Sequence, residues 1–98
     1  MKNLFDIKGK VIVLTGGCGI LGKSLAGYLA EQGAKIVILD RAEELGKQQE
    51  AELNQKTEAL FLVTDVMNKA VLDENRKAIL ERFGRIDVLL NAAGGNTA

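Results

Sequence analysis

Four short apolar runs punctuate the chain, and the segments between them carry apolar residues at helical spacing or are polar. Val11-Ile12-Val13-Leu14, Lys35-Ile36-Val37-Ile38-Leu39-Asp40, Ala59-Leu60-Phe61-Leu62-Val63-Thr64 and Ile86-Asp87-Val88-Leu89-Leu90 each read as a strand. They do not alternate apolar with polar, which is the pattern of strands covered on both faces. After the first run, Leu21, Leu25, Tyr28 and Leu29 recur at helical spacing, and Gly33 supplies a stop. Arg41 to about Gln55 favours helix, with Leu45 and Leu53 as apolar anchors. Its charges (Glu43, Glu44, Lys47, Glu50, Glu52) read as a solvated face. The spacing predicts a third helix from about Lys69 to Arg82, with Leu72, Ile79, Leu80 and Phe83 inward and Gly84 ending it.

The order βαβαβαβ belongs to parallel sheets with crossover helices. Right-handed crossovers carry strands 1, 2 and 3 outward in one direction and return strand 4 to the other side of strand 1. The expected fold class is therefore α/β, a Rossmann-type parallel sheet of order 3-2-1-4 with flanking helices, a partial doubly wound fold. Ligands of such sheets bind beyond the carboxyl ends of the strands, at the switch point between strands 1 and 4. The residues of unusual chemistry fall at those ends: Gly16 to Gly22, Asp40, Asp65 and Asn91 to Gly94. Two helices would cover one face of the sheet and a single helix the other. That arrangement leaves apolar surface and the edge of strand 4 unprotected, so the chain by itself is expected to self-associate.

Composition removes several function classes. Ninety-eight residues, 47% apolar and 27% charged, describe one globular unit. A net charge of zero gives no footprint for nucleic acid or an acidic membrane. No apolar run approaches the roughly 20 residues needed to span a bilayer. The opening Met1-Lys2-Asn3-Leu4-Phe5-Asp6 has no signal-peptide core, so a cytoplasmic location is expected. Histidine is absent, which excludes Ser-His and Cys-His nucleophilic pairs within the chain, and no metal site is expected. Cys18 is the sole cysteine; it lies near a helix N-terminus, where a thiol pKa can fall, but it reads better as a small loop filler.

The loop Thr15-Gly16-Gly17-Cys18-Gly19-Ile20-Leu21-Gly22-Lys23-Ser24 joins a strand to a helix and carries two signatures. Gly17, Gly19 and Gly22 fit G-x-G-x-x-G, the dinucleotide pattern. Gly17 through Ser24 also fit G-x-x-x-x-G-K-S, the triphosphate loop, in which Lys23 would reach phosphates, Ser24 would hold magnesium and Asp40 would assist the metal. The helical register starts near Ile20, before Lys23, and favours the dinucleotide reading. Asp40, at the tip of strand 2, can accept hydrogen bonds from both adenosine ribose hydroxyls and repels a 2′-phosphate, which favours NAD over NADP. Arg41 blurs this, since a guanidinium there can pair with a 2′-phosphate. Asp40 could also serve as an N-cap for the polar helix, and Asp65 as one for the third helix.

With these residues in view, the chain resembles the short-chain dehydrogenases/reductases. Leu4-Phe5-Asp6-Ile7-Lys8-Gly9-Lys10-Val11 looks like that family's lead-in to its first strand. Thr15-Gly16 to Gly22 looks like its T-G-x-x-x-G-x-G loop, Asp65-Val66 like its adenine-site dipeptide, and Asn91-Ala92-Ala93-Gly94 like its N-A-A-G segment. The resemblance implies roles by position. Gly16 would shape the turn, Gly19 and Gly22 would belong to the phosphate loop, and the Ile20 and Leu21 amides would face the pyrophosphate. Asp65 would bond the adenine amino group with Val66 beside the ring. Asn91 would brace the central strand, and Ala92, Ala93 and Gly94 would line the nicotinamide side.

The family usually has glycine where this chain has Ile20, and here the glycine comes one residue earlier, at Gly19. This G-G-x-G-x-L-G form, followed later by Gly95-Asn96, looks like a branch acting on sugar acids, the mannonate/fructuronate oxidoreductases. Family members use a Tyr-x-x-x-Lys pair with a serine beyond strand 4. The single tyrosine, Tyr28, has Gln32 where the lysine would stand, so no residue of this chain is assigned to catalysis. The resemblance implies the N-terminal dinucleotide-binding part of a longer oxidoreductase, a homodimer or homotetramer in full, whose substrate is an alcohol or carbonyl compound. The alternatives are a P-loop nucleotide kinase or NTPase built on Lys23, Ser24 and Asp40, and a nucleotide-sensing module without turnover.

Overall fold

The computed structural model describes residues 6–92. Its elements follow the order β1 (Val11–Thr15), α1 (Ile20–Glu31), β2 (Lys35–Asp40), α2 (Glu43–Leu53), β3 (Ala59–Val63), α3 (Lys69–Phe83) and β4 (Val88–Asn91). The strands form one sheet in the order β3-β2-β1-β4, every neighbouring pair parallel, as the sequence pattern predicts. The register aligns Thr15 with Leu39 on one side and with Asn91 on the other, and Asp40 with Val63. The carboxyl ends of all four strands therefore come out together along one edge.

Near-continuous apolar strands feed two cores, because successive side chains leave a strand on opposite faces. Ile12, Leu14, Ile36, Ile38 and Phe61 pack on one face against Ala26, Leu29 and Ala30 of α1 and Leu53 of α2. Val11, Val13, Val37 and Leu39 pack on the other against Ile79 of α3, with Leu60, Leu62, Phe83 and Ile86 around them. Strand β4 lies at the margin of both cores: Val88 is exposed and Leu89 is 65% exposed.

The helices bury only part of the faces that their apolar residues suggest. In α1 the buried residues are Gly22, Ala26, Leu29 and Ala30, while Leu21 and Tyr28 are exposed. A stripe of small residues lets the helix axis approach the sheet closely, so the larger side chains flank the contact. In α2, Leu53 is buried but Leu45 is exposed; Gly46 and Gln49 take the inward positions. A Cβ on Gly46 would collide with the Phe61 ring. Buried Gln49 has no hydrogen-bond partner at Nε2 among the described residues. In α3, Ile79 is buried and Leu72 and Phe83 are half-buried, as expected, but Leu80 is exposed and Asn75 is buried. Gly84 ends α3 in the left-handed conformation, as the sequence predicts.

Candidate functional site

The glycine loop is a main-chain structure folded against itself. Gly16 has φ +69°, a left-handed value that turns the chain out of β1, and its N–H donates to the Leu39 carbonyl at 2.8 Å. The chain then doubles back so that the first turn of α1 lies on the loop. A Cβ on Gly22 would stand 2.6 Å from the Gly16 carbonyl oxygen and 2.6 Å from the Gly17 Cα. One on Gly17 would meet Ile38 Cδ1 at 2.8 Å. Gly19 is less constrained, its nearest neighbour being the Gly16 oxygen at 3.7 Å.

Gly19 is the N-cap of α1, so the helix starts at Ile20. No side chain caps this terminus and its first turn holds no acidic residue, in contrast to α2 with Glu43 and Glu44 and to α3 with its Asn68 cap. The first-turn N–H groups of a helix lack partners within it and present partial positive charge. Here they sit beside Ile20, which is 94% exposed, and exposed Leu21. Lys23 already donates its N–H to the Gly19 carbonyl at 2.8 Å and is exposed together with Ser24. Both belong to the helix and not to the cradling loop, which counts against the triphosphate reading.

Asp40 closes the site at the tip of β2. Its Oδ2 accepts the Cys18 N–H at 2.9 Å, and its Oδ1 accepts the Ala42 N–H at 3.0 Å. The alternative role of Asp40 as helix N-cap is not taken up: Ala42 is the N-cap of α2, and Asp40 holds the turn before it. Arg41 is exposed between them. Burial, followed by the charge and hydrogen bond of Asp40, pushes the Cys18 thiol up to about 11. The helix terminus does not activate this thiol, in agreement with its reading as a loop filler.

Asp65 and Val66 lie on an exposed turn after β3. Asp65 Oδ1 accepts the Met67 N–H at 3.0 Å, and α3 is capped instead by Asn68, whose side chain accepts from Val71 at 3.2 Å. The alternative role of Asp65 as helix cap is thereby corrected: the cap lies three residues further on. At the end of β4, the Thr15 hydroxyl donates to Asn91 Oδ1 at 3.1 Å, and the Ala92 N–H donates to the Thr15 carbonyl at 2.9 Å. Asn91 thus joins the strand that the resemblance says it braces. Ala93 and Gly94 lie outside the described residues.

Two clefts flank the strand ends. One, of about 460 Å³, is lined by Gly16, Cys18, Gly19, Ile20, Leu21, Gly22, Asp40, Ala42, Leu45 and Ala92. The other, of about 540 Å³, runs between β4 and α3, with Thr15, Asn91 and Val66 among its walls. Most of the expected residues converge on the first cleft, whereas Val66 and Asn91 line the second, and Arg41 and Asp65 line neither. Sequence reasoning missed Thr15 as a link between strand ends; its signal was a hydroxyl at the last position of an apolar strand. It also missed the buried pair Thr64 and Asn75, for which the pattern gave no signal.

Comparison with known proteins agrees with this geometry. The chain is 37% identical over 92 residues to an uncharacterized oxidoreductase, UxuB, of Bacillus subtilis (strain 168), covering 93% of this chain and 33% of that protein. It resembles the crystal structure of a putative D-mannonate oxidoreductase from Haemophilus influenza with bound NAD, at a TM-score of 0.86 and 35% identity over 94% of this chain and 33% of that one. A short chain dehydrogenase/reductase from Burkholderia phymatum in complex with NAD gives a TM-score of 0.83 and 32% identity, over 88% and 31% of the two chains. The chain therefore spans about a third of the length of each of these relatives. The sequence profile of the short chain dehydrogenases matches residues 10–98, nearly the whole chain. A parallel sheet of order β3-β2-β1-β4, a glycine loop packed main chain on main chain and this match together place the chain in the short-chain dehydrogenase family.

Proposed function

We propose that residues 1–98 form the dinucleotide-binding part of an NAD-dependent oxidoreductase acting on an alcohol or carbonyl substrate. The observation that carries this reading is the Asp40 carboxylate held over the glycine loop by the Cys18 N–H, on the wall of the cleft that the loop lines. The residues present fit such a cofactor. The loop has no Cβ at Gly16, Gly17, Gly19 or Gly22 to keep a pyrophosphate away from the main chain, and the α1 terminus has no side-chain cap. When bound, the nicotinamide accepts or supplies hydride.

In this reading Gly16 and Gly22 shape the cradle, Gly19 leaves it open, and the Ile20 and Leu21 amides meet the pyrophosphate. Asp40 accepts from the ribose hydroxyls and repels a 2′-phosphate, with Arg41 free to turn toward solvent. Asp65 accepts from the adenine amino group and Val66 flanks the ring. Asn91 keeps strand ends β1 and β4 together, and the nicotinamide side is assigned to Ala92, Ala93 and Gly94 on the resemblance alone. None of these residues moves a proton in the reaction; that task falls to groups outside this chain. Similarity to an oxidoreductase described as a putative D-mannonate enzyme, and the G-G-x-G-x-L-G form of the loop, support a sugar acid as substrate.

Equilibrium binding of NADH, NADPH and Mg·ATP tests the reading, with NADH fluorescence undisturbed by tryptophan, which the chain lacks. Saturable NADH binding, tighter than NADPH and weakened by Asp40→Ala, is expected. Tight Mg·ATP binding lost in Lys23→Ala, without an NADH response, overturns it.

A further inference from the structure

Thr64 is 1% exposed and Asn75 is 8% exposed, and they bond side chain to side chain, Asn75 Nδ2 donating to Thr64 Oγ1 at 2.6 Å. The Thr64 hydroxyl donates in turn to the Leu62 carbonyl at 2.9 Å, and the Thr64 N–H donates to the Asp40 carbonyl at 2.8 Å. An apolar pair of the same shape would fill this space without the desolvation that two polar side chains require. Core packing alone therefore does not call for them. What they do is fix Thr64 from three directions: along β3, across to the tip of β2, and up to α3.

Immediately beyond Thr64 the chain leaves the core, with Asp65, Val66 and Met67 all exposed. The far end of this turn is fixed by the Asn68 cap of α3. Asp65 thus rides on a short turn clamped at both ends, and its inner clamp is bonded to the residue that carries the ribose-side carboxylate. We propose that Thr64 and Asn75 are positioning residues for the adenine end of the dinucleotide: they set Asp65 relative to Asp40, so that ribose and adenine amino group are met together. This rests on the assignment of Asp65 to adenine given above. Neither side chain touches the cofactor; both act through the 65–68 turn.

NADH and reduced nicotinamide hypoxanthine dinucleotide differ only at the purine edge that Asp65 would meet, where the 6-amino group becomes a carbonyl and N1 gains a proton, so the ratio of their Kd values reads that contact. In the unaltered chain NADH is expected to bind about tenfold more tightly, as one hydrogen bond to a charged group provides. Thr64→Val and Asn75→Leu are each expected to bring the ratio to within about twofold of unity while the preference for NADH over NADPH persists. Thr64→Ser keeps the hydroxyl and retains the ratio. The double variant Thr64→Val/Asn75→Leu removes both partners of the buried side-chain bond together and leaves only the Leu62 carbonyl without its donor, so it is expected to keep the fold and still lose the ratio. A tenfold ratio that survives in the double variant overturns the proposal, as does an equal loss of affinity for both dinucleotides. A ratio near unity in the unaltered chain instead overturns the assignment of Asp65, and the proposal with it.

Discussion

The carboxylate of Asp40 and the backbone N–H of Cys18 lie 2.9 Å apart and join the tip of β2 to the glycine loop. With the second oxygen on the Ala42 N–H, the carboxylate is aimed by main chain alone. Asp40→Ala is expected to weaken NADH binding tenfold or more and to narrow the gap between NADH and NADPH. It also removes the acceptor of the Cys18 N–H, for a further loss of about 1–2 kcal/mol of stability. Fluorescence titration and thermal unfolding read the two effects separately.

Two glycines of one loop are expected to respond differently to the same substitution. Gly22→Ala forces a methyl against the Gly16 carbonyl and Gly17 Cα, both main-chain atoms that cannot rotate away. A loss of about 1–3 kcal/mol and of NADH binding is expected. Gly19→Ala meets only ordinary contact at 3.7 Å and is expected to change stability by less than about 1 kcal/mol. Paired denaturation curves check the contrast.

The Cys18 thiol, raised to about 11 first by burial and then by Asp40, stays protonated at neutral pH. Alkylation by iodoacetamide is expected to be slow at pH 7–9 and to climb steadily with pH toward that value. Because the folded thiol ionises later than the unfolded one, its contribution to stability is complete below the unfolded thiol pKa and is lost as pH rises through about 11. Asp40→Asn removes the charge but not the burial, so it should speed alkylation while leaving the thiol pKa above that of a free thiol. A rate-against-pH profile in both proteins decides this, and a rate unchanged by the substitution would count against it.

At the opposite end of the sheet, Arg85 and the Val11 N–H hold the Asp87 carboxyl below the usual carboxylate range. The sign follows from the lowered folded value. The contribution of Asp87 is present above the unfolded carboxylate pKa of about 4 and is lost as pH falls through the folded value. Asp87→Asn should lower the melting temperature at pH 7 and reduce its further fall between pH 5 and pH 2.5.

The sheet order, the start of α1 at Ile20 and the full extent of β2 were legible from apolar runs, stop glycines and crossover handedness alone. The positions of Gly16 to Gly22 and Asp40 around one cleft followed, because a parallel sheet sends all such residues to one edge. The inward face of α1 was legible only at Leu25 and Leu29. Leucine spacing marks apolar positions, but close approach to the sheet selects Gly22, Ala26 and Ala30, which carry little hydrophobic signal. Thr64, Asn75 and Gln49 were hidden for the opposite reason: their polarity reads as solvent-facing, and only the packed structure shows them buried. The local bonds of Asp40 and Asp65 were also beyond reach, since either carboxylate could have capped the helix that follows it.

The bond between Thr15 and Asn91 spans 76 residues of chain, whereas Cys18 and Asp40 are 22 residues apart. The two halves of the candidate site therefore differ in when they can exist. Closing a longer loop loses more chain entropy, though the increment grows only logarithmically with length. On a ribosome, β1, β2 and their glycine loop are complete before β4 has been synthesised. The ribose side of the candidate site is thus a local product of the chain, and the junction of β1 with β4 at Asn91 is its last long-range closure.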